Sequence, residues 1–592
     1  MEEAIARKLF APGTMFEIRE EVVSYPDNHA PHHQGVKYKV FPNGLQTMVD
    51  LYEMPKKMNA MQKEFLVWGN ERRTFQQTYD EAAALAQALV QKYGVKKGDR
   101  VCALSKNRIE YVVSLIAATS IGAVFVPMNS WWKSRDLQYG LENSGSKVLI
   151  CDVDRYKLVE PIIAEVPSLN HILLLRDEGS DEIRPHSKLS AYDEVIAQFH
   201  GESMPPFPCD KDDNAMIMYT SGTTGHPKGV VLTHRGVSHA LNAGMAFFTL
   251  SQALTAANAG APATVSTAEP AVLLTVPLFH VTGLHAVCLL SIVACRKIVM
   301  VSKWDPEHAL QLIESEKITN FTGVPTMVLD MMRHPNFTKY DTSSLQSLIG
   351  GGSASPSTLV DDIDKHFKNA SAGQGYGMTE MNAIGTLNGG LAYRAKRTSC
   401  GRAAPTIEIA VWDDQNRPVP PNVKGNVMFK AASLMKEYWQ NPEATAKTVT
   451  ADGWLDTGDI GHLDDDGFLH LGGRSKEIII RGGENISCVS VEDAVHKHPN
   501  VAEVVAIPVP HPTLGEEVGV VVFPEHGGKV TLEEIHQYCN DLAKFQRPTH
   551  LYIWPEQLPR GATGKIVKLE IREAIKSQKL LSEQQKLMKS KL

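Results

Sequence analysis

Cysteine is scarce in this sequence, and long apolar runs are missing. The 592 residues include eight cysteines and no CxxC pair, so neither a disulfide framework nor a cysteine-based zinc site is expected. The longest apolar run, residues 284–295, is interrupted by His285 and is shorter than the ~18 residues of a membrane-spanning helix. Met1 is followed by two glutamates instead of a basic start, which argues against a secretory signal. We expect a soluble protein with reduced, mostly buried thiols.

The sequence also lacks a strong excess of charge of either sign. It has 60 basic and 67 acidic residues, a net charge of -7, so no overall attraction to nucleic acid or to an anionic membrane is expected. Apolar residues make up 43% and charged residues 21%, as in folded globular proteins. A chain of this length is longer than a single hydrophobic core usually supports, so we expect at least two domains.

Helix and strand patterns alternate from about residue 60 and predict a multidomain α/β protein. Short apolar strands separated by helix-length segments are predicted at 100–104, 123–126, 147–151, 272–276, 297–301 and 319–323. The pattern changes after residue 400 to short strands and turns, which indicates a β-rich subdomain. We therefore predict a large N-terminal domain (1–473) of layered α/β subdomains plus this β-rich subdomain, a hinge (474–476), and a small mobile α+β C-terminal domain (477–592). Residues 251–270, rich in small side chains and without periodicity, predict an exposed loop.

A segment rich in glycine and threonine, residues 219–229 (YTSGTTGHPKG), follows a buried strand ending at Met218 and precedes a helix predicted from about Thr233. Glycines let backbone amides approach an anion, hydroxyls add donors, and lysine adds positive charge, so the segment predicts a phosphate site. The spacing differs from that of a Walker P-loop, which disfavours a Walker-type kinase or motor ATPase. The candidate residues are Thr220, Ser221, Gly222, Thr223, Thr224, Gly225 and Lys228.

Further short motifs follow in the sequence. They are GGGS (350–353), QGYGMTE (374–380), LDTGD (455–459), GRSKE (473–477) and PRGATGKI (559–566). The second of these combines a flat aromatic ring, a flexible backbone, a hydroxyl and a carboxylate, which suits a nucleotide with bound Mg²⁺. A carboxylate such as Asp459 is purely an acceptor and can pair with the hydroxyls of a sugar. A mobile lysine such as Lys565 can bridge two anionic reactants in a transition state.

Together, in this order, these motifs resemble the adenylate-forming superfamily of acyl-CoA synthetases, luciferases and the adenylation domains of peptide synthetases. The resemblance spans residues 60–575 and implies ATP, Mg²⁺ and coenzyme A as cofactors or co-substrates. It implies that Tyr376 stacks on adenine, that Thr379 contacts the α-phosphate, and that Glu380 helps to bind Mg²⁺. Further implied roles are Thr224 at the metal, Asp459 and Arg474 at the ribose, Lys476 as hinge, Lys565 as adenylation lysine, Gly482 and Gly483 at the pantetheine tunnel, and Gly351, Gly352, Ser353, Gly375 and Gly377 at the nucleotide.

The type of acid is indicated less directly. Amino-acid-activating relatives usually carry an aspartate after the phenylalanine that matches Phe279, whereas this chain has His280, which favours a simple carboxylic acid and resembles the gate residue of acyl-CoA synthetases. Trp131 and Trp132 resemble fatty-acyl members, so we expect a medium- or long-chain fatty acid. An aromatic coumarate-like acid and a short oxalate-like diacid remain alternatives. Luciferase-type oxygenation and a non-catalytic nucleotide- or acyl-binding homologue are less favoured, the latter because Lys565, Glu380 and Asp459 are all present.

The sequence ends in Ser590-Lys591-Leu592, which matches a peroxisomal address read at an exposed carboxyl terminus. We therefore expect a peroxisomal import receptor as a partner and a location in the peroxisomal matrix.

Overall fold

The computed structural model describes residues 2–23, 33–176, 183–220, 226–259, 269–474, 477–577 and 580–582. Ser221, Gly222, Thr223, Thr224 and Gly225 lie outside these ranges, and so do Lys476 and the terminal tripeptide Ser590 to Leu592. The proposed roles of those residues, including the peroxisomal address, stay predictions.

An N-terminal segment precedes the first α/β layer and forms a hairpin. In it, β1 and β2 pair antiparallel, with Val23 opposite Val36. Buried valines and a buried Tyr38 form a small core with Ala432 beneath this hairpin. The elements are α1 Glu2–Leu9, β1 Arg19–Val23, β2 Val36–Val40, α2 Met48–Tyr52 and α3 Met54–Lys57.

The next part of the chain alternates strands and helices, as the sequence pattern predicts. Its elements are β3 Glu64–Trp68, β4 Glu71–Thr74, α4 Phe75–Gln87, β5 Arg100–Leu104, α5 Ile109–Ser120, β6 Val124–Pro127, α6 Ser134–Ser144, β7 Ser146–Asp152, α7 Val153–Val159, β8 His171–Leu175, β9 Leu189–Ala191, α8 Tyr192–Gln198, β10 Asn214–Thr220, β11 Lys228–Thr233 and α9 His234–Ala259. A π-helical turn, Ala88–Lys92, extends α4, and a 3₁₀ turn, Glu160–Glu165, follows α7.

A second run of alternating elements and the β-rich region follow. Their elements are β12 Ala271–Leu274, α10 Leu290–Val293, β13 Lys297–Met300, α11 Pro306–Ser315, β14 Asn320–Gly323, α12 Pro325–Arg333, β15 Ser347–Gly351, α13 Leu359–His366, β16 Ser371–Tyr376, β17 Thr386–Gly389, α14 Gly390–Ala395, β18 Arg402–Ala403, β19 Glu408–Trp412, β20 Gly425–Lys430, β21 Glu437–Tyr438, α15 Pro442–Thr448, β22 Leu455–Leu463 and β23 Leu469–Arg474. Helical turns of other types are Thr282–Leu289 (π), Phe337–Lys339 and Thr379–Met381 (both 3₁₀).

Three sheets organise these strands. One runs in the order β21-β11-β10-β6-β5-β7-β8-β9 and a second in the order β18-β17-β16-β15-β14-β12-β13-β3-β4. Their central strands are parallel and fully buried between helices, which explains why they are continuous apolar runs. The β-rich region is an antiparallel sheet in the order β19-β20-β22-β23.

The C-terminal part has a sheet of its own. Strands β26 and β27 form a long antiparallel hairpin, β24 and β28 pair with β27, and β25 pairs with β24. Its elements are β24 Ile479–Arg481, β25 Glu484–Ile486, α16 Cys488–His496, β26 Val501–His511, β27 Gly515–Pro524, α17 Leu532–Tyr538, β28 His550–Ile553 and α18 Lys568–Lys576, with 3₁₀ turns Glu525–Gly527 and Lys544–Gln546. The fold class is therefore the expected one: a large N-terminal α/β part with a β-rich region, and a small C-terminal α+β part.

One expectation about local structure is wrong. The first part of the loop predicted over 251–270 is helical, because α9 continues to Ala259, and residues 260–268 lie outside the described ranges. Alanine, the strongest helix former, recurs in this stretch and supports the helix. The helix predicted from about Thr233 is confirmed, since α9 begins at His234. The strand β11, which precedes it, pairs antiparallel with β10 and places Thr220 opposite Lys228.

The structure also bears on the expectations for the cysteines and for membrane-spanning helices. All eight cysteines are free thiols, and five of them are buried, at positions 102, 151, 288, 488 and 539. None of the helices within the described ranges combines the length and apolar character needed to cross a bilayer.

Candidate active site

The carboxyl ends of β15 and β16 form the edge on which the candidate site is built. These strands are parallel, and Gly351 lies beside Gly375. Residues that follow neighbouring parallel strands meet at the same edge of a sheet, so the GGGS and QGYGMTE motifs converge there. The Gln374 side chain joins them: its Nε2 donates to the Ser353 carbonyl oxygen at 3.4 Å, and its Oε1 accepts from Ser355 Oγ at 2.5 Å.

Lys565 of the C-terminal part reaches this edge. A Cβ atom built on Gly352 would lie 3.0 Å from Lys565 Cε and 3.4 Å from its Nζ, so the lysine occupies the space that a side chain would fill. Gly352 also has a φ of +78°, which favours glycine. Burial, and then the charge of Arg474, lower the pKa of Lys565 to about 8, while Asp459 opposes the shift. The sequence motifs around residues 352 and 565 are thus brought together.

Asp459 lies at the centre of a second group, on β22. Its Oδ2 accepts a hydrogen bond of 2.5 Å from the Tyr376 hydroxyl, and its Oδ1 lies 3.4 Å from Arg474 Nε. Asp459 and Arg474 are register partners on β22 and β23, which explains the pair. Burial raises the pKa of the Asp459 carboxyl, against the hydrogen bond from Tyr376 and the charge of Arg474. The group gathers a buried acceptor, a flat ring and a cation.

Glu380 belongs to a third group of contacting residues. This group includes Tyr438, which the sequence analysis did not identify. The buried Glu380 carboxylate accepts a 2.7 Å hydrogen bond from the Tyr438 hydroxyl, and its backbone carbonyl accepts from the Met435 amide at 2.8 Å. Lys228 Nζ lies 4.4 Å from the centre of the Tyr438 ring, a cation–π contact. Tyr438 therefore connects the phosphate segment to the acidic residue, although it belongs to none of the sequence motifs.

The loop that carries Thr379 and Glu380 is closed by backbone contacts. Gly385 N donates to Tyr376 O at 3.0 Å, and Ala383 N donates to Met378 O at 3.1 Å. A Cβ on Gly377 would lie 1.9 Å from the Ala383 carbonyl oxygen, so only glycine fits at position 377 of this loop. Thr379 and Glu380, in the short 3₁₀ turn, are both buried.

His280 lies beside the π-helical turn Thr282–Leu289. Its Nδ1 accepts a hydrogen bond from the Thr282 amide at 3.3 Å. Burial, and then the charge of Lys565, lower the pKa of His280 to about 3, so the ring is neutral near pH 7. A neutral, partly buried ring whose pKa responds to Lys565 is compatible with the predicted gate position.

The remaining predicted residues lie elsewhere. Thr220 ends β10, and its Oγ1 donates to the Lys228 carbonyl oxygen at 3.5 Å. Gly482 and Gly483 form the turn between β24 and β25, with φ values of +58° and +90°, and Gly482 N donates to Leu514 O at 2.8 Å. This turn belongs to the C-terminal sheet, and its contact with Leu514 stays within that part of the chain.

The chemistry of Glu380 fits that of a Mg²⁺ ligand. Glu380 supplies a buried carboxylate, a hard oxygen ligand of the type that Mg²⁺ prefers, and Tyr438 orients it. Groups of three or more metal-binding side chains do not occur within the described ranges.

Two family models match this chain. Residues 56–439 match the model described as AMP-binding enzyme, and residues 490–565 match the AMP-binding enzyme C-terminal domain. The two matches therefore contain most of the site residues described above, from Lys228 and Glu380 to Lys565.

Known proteins resemble the chain over most of its length. A long-chain-fatty-acid–CoA ligase of Mycobacterium tuberculosis, FadD13, is 33% identical over 502 residues, which are 84% of this chain and 92% of that protein. A feruloyl-CoA synthase of Amycolatopsis is also 33% identical, over 507 residues, 85% of this chain and 94% of that protein. Among solved structures, the anthranilate CoA ligase AuaEII in complex with anthranoyl-AMP matches with a TM-score of 0.78 at 25% identity, covering 90% of this chain and 98% of that one.

Proposed function

The chain belongs to the AMP-binding enzyme family, and we propose that this member activates a medium- or long-chain fatty acid and transfers it to coenzyme A. The reaction class itself is that of the family's CoA ligases: an acid–thiol ligase that forms an acyl-adenylate from ATP and passes the acyl group to a thiol. What remains a proposal is the acid, together with the roles of individual residues.

The position of Lys565 against Gly352 is the observation that carries the residue assignment. Attack of a carboxylate on the α-phosphate of ATP brings negative charges together and releases pyrophosphate. In our proposal the Lys565 ammonium lies between both reactants and stabilises the charge of the transition state, while Asp459 and Arg474 hold the ribose. Tyr376 packs beside the adenine while its hydroxyl keeps Asp459 oriented.

Glu380 is proposed to hold Mg²⁺ on the polyphosphate, with Thr224 of the phosphate segment as a second candidate ligand. The cation would neutralise the pyrophosphate that leaves. Tyr438 keeps one oxygen of Glu380 occupied and leaves the carboxylate pointing in a fixed direction. Removal of divalent cations with EDTA should stop pyrophosphate release, and added Mg²⁺ should restore it.

The second half-reaction is proposed to use another face of the C-terminal part. Rotation about Lys476 would withdraw Lys565 and bring the Gly482-Gly483 turn toward the acyl-adenylate. Two glycines at positive φ give this turn a backbone without side chains, along which pantetheine can pass. The thiolate of coenzyme A then attacks the acyl carbonyl, AMP leaves, and His280 stands at the entrance to the acyl pocket.

The aliphatic acid is supported by the likeness to the fatty-acid ligase and by the mostly apolar sequence that follows His280. The π-helical turn Thr282–Leu289, which begins two residues after His280, is mostly buried and apolar. An aromatic acid is the second candidate, because the feruloyl-CoA synthase is equally similar to this chain. Single apolar residues do not fix the depth of a pocket, so the two acids need a direct comparison.

An acid panel tests the proposal. Pyrophosphate release from ATP is measured with oxalate, octanoate, palmitate, cinnamate and coumarate, with and without coenzyme A, and Lys565→Ala serves as the inactive control. The proposal predicts the highest kcat/KM for octanoate or palmitate and an acyl-CoA product. A preference for cinnamate or coumarate would replace the fatty acid by the aromatic alternative.

A further inference from the structure

Helix α12 of the large domain contacts the loop that carries Lys565 at both of its ends. At the start of the helix, a Cβ on Gly564 would lie 2.9 Å from Val324 Cγ2 and 3.2 Å from Met327 Cε, so the loop backbone is pressed against this region. The φ of Gly564 is +79°, which again favours glycine. The loop therefore lies along α12 and does not project freely into the site.

At the other end of α12, Asp330 binds Arg560 across the boundary between the two parts of the chain. Arg560 Nη1 lies 3.0 Å from Asp330 Oδ2, and Trp304 Nε1 donates to the same oxygen at 3.0 Å. The Arg560 and Asp330 side chains are only 15% and 13% exposed, so water screens this pair weakly.

Arg560 is also fixed on its own side of the boundary. It forms an ion pair with Glu503 of β26, and the second oxygen of Glu503 accepts from the Leu558 amide at 2.8 Å. The guanidinium thus remains anchored in the C-terminal part while one of its nitrogens reaches Asp330. Loss of the Asp330 charge would leave Arg560 paired with Glu503, so the fold should survive that change.

A second bond from the same helix face strengthens the contact. Arg333, three residues after Asp330, donates from Nη1 to the Ala502 carbonyl oxygen at 3.0 Å, and its Nε lies 3.2 Å from Glu525 Oε2. Residues three apart on a helix lie on one face, so α12 contacts the C-terminal part at two neighbouring points, through Asp330 and through Arg333.

The loop between Arg560 and Lys565 transmits this position to the lysine. Gly561 N donates to Lys565 O at 2.9 Å, Gly564 N donates to Gly561 O at 2.9 Å, and Val567 N donates to Pro559 O at 2.7 Å. Because these bonds close the loop on itself, a fixed Arg560 leaves Lys565 little freedom to leave Gly352.

We propose that Asp330 is a positioning residue for acyl-adenylate formation: by binding Arg560 across the domain boundary, it holds Lys565 against Gly352 during the first half-reaction. This inference rests on the adenylating role proposed for Lys565 and is independent of the identity of the acid. The same bond must break before the C-terminal part can turn, so Asp330 favours the first half-reaction over the second.

The test compares the two half-reactions in the full-length chain. Asp330→Asn keeps an oxygen that can accept from Trp304 but removes the charge that pairs with Arg560. Asp364→Asn is the matched control, since Asp364 pairs with Arg394 at 2.7 Å on the surface of the large domain and does not involve the C-terminal part. Exchange of radiolabelled pyrophosphate into ATP with palmitate reports acyl-adenylate formation, and thioester formation from synthetic palmitoyl-adenylate and coenzyme A reports the second step.

Asp330→Asn should lower the exchange rate about 10- to 100-fold and leave thioester formation within about twofold of the wild type. Asp330→Glu, which restores the charge, should recover most of the exchange. Equal losses in both half-reactions, or an exchange rate equal to that of Asp364→Asn, would overturn the inference. If palmitate supports no exchange in the wild type, cinnamate and cinnamoyl-adenylate replace the palmitate pair. A wild type that exchanges with neither acid would contradict the proposed function itself.

Discussion

The ammonium group of Lys565 lies where burial and the Arg474 guanidinium both disfavour its charge, and its pKa falls to about 8. A lysine is charged below its pKa and neutral above it, so the cation needed for adenylation is lost as the pH rises through 8. We expect kcat/KM for ATP, measured by acid-dependent pyrophosphate release, to fall about tenfold for each pH unit above 8.

Lys565→Arg is the control for this pH dependence. The guanidinium remains charged throughout the alkaline range, so the variant should be slower than the wild type near pH 7 but should lose the decline centred on pH 8. A decline of the same shape in both proteins would assign the titration to another group.

At the scale of single residues, the sequence identifies candidate residues but not the contacts between them. Tyr376 and Asp459 each stand in a short contiguous motif, and the structure brings the two side chains together in the candidate site. Their mutual hydrogen bond could not be predicted, because it depends on how β16 and β22 pack. Tyr438 gave no signal at all: it is a single aromatic residue outside the motifs, and only the pairing of β21 with β11 brings it to Glu380 and Lys228.

Among the structural elements, the loop from Tyr376 to Gly385 has the tightest packing requirement. Gly377→Ala places a methyl group where the Ala383 carbonyl oxygen lies, so the loop must shift and carry Thr379 and Glu380 with it. A displacement of about 1 Å at a reacting group can cost about 100-fold in rate. We expect a loss of that order in pyrophosphate release.

Gly389→Ala is the matched control. Gly389 ends β17 with extended backbone, and a Cβ there meets nothing within 4 Å. This variant should keep the wild-type rate within about twofold, since it adds the same methyl group without a collision. If the two variants were equally active, the loop would not need its present shape for catalysis.

The N-terminal hairpin precedes the residues matched by the family model, yet it is bonded to the site region. The buried ring of His33 contacts the Met435 carbonyl oxygen at 3.0 Å and the Tyr38 hydroxyl at 2.7 Å, and Met435 N in turn donates to Glu380 O. His33→Ala leaves two buried polar groups without this partner and should lower the free energy of unfolding by about 2 kcal/mol.

Urea denaturation measures that change, with His200→Ala as the comparison. His200 is exposed, so its replacement should alter the free energy of unfolding by less than about 0.5 kcal/mol. An equal, small change in both variants would mean that the hairpin is attached by its apolar contacts alone.

Element positions followed from the sequence where apolar periodicity was strong. The parallel strands from β5 to β7 lie within one residue of their predicted limits, because buried strands are continuous apolar runs. The C-terminal third of α9 was missed, because its alanines and small polar residues carry no amphipathic pattern and its helical state rests on intrinsic propensity. The strand β11 is absent from the predicted strands, because its apolar run is too short to show a periodic pattern.

For the whole molecule, the distribution of the apolar cores matters most. Within the described ranges, the clusters that contain β3 to β23 include no residue beyond Leu471, and the clusters of the C-terminal part begin at Ile479. A chain ending at Arg474 should therefore retain a cooperative thermal transition and bind ATP. It should form acyl-adenylate at least about 100-fold more slowly, because it lacks Lys565.

Circular dichroism and calorimetric ATP titration measure the fold and the binding of the shortened chain. Full-length Lys565→Ala should show a similar loss of acyl-adenylate formation with its fold intact. If the shortened chain unfolds without a cooperative transition, the large domain depends on the C-terminal part, and the predicted boundary at 473–477 is wrong.

The placement of Lys565 also links ATP binding to the uptake of protons from the solution. Near pH 8 about half of the molecules hold this lysine without its proton, and the phosphates of ATP would raise its pKa again. Each ATP that binds should then be accompanied, on average, by the uptake of a fraction of a proton from the buffer. The heat of ATP binding will therefore depend on the ionisation enthalpy of the buffer. A lower pH will favour the complex with ATP over the free enzyme.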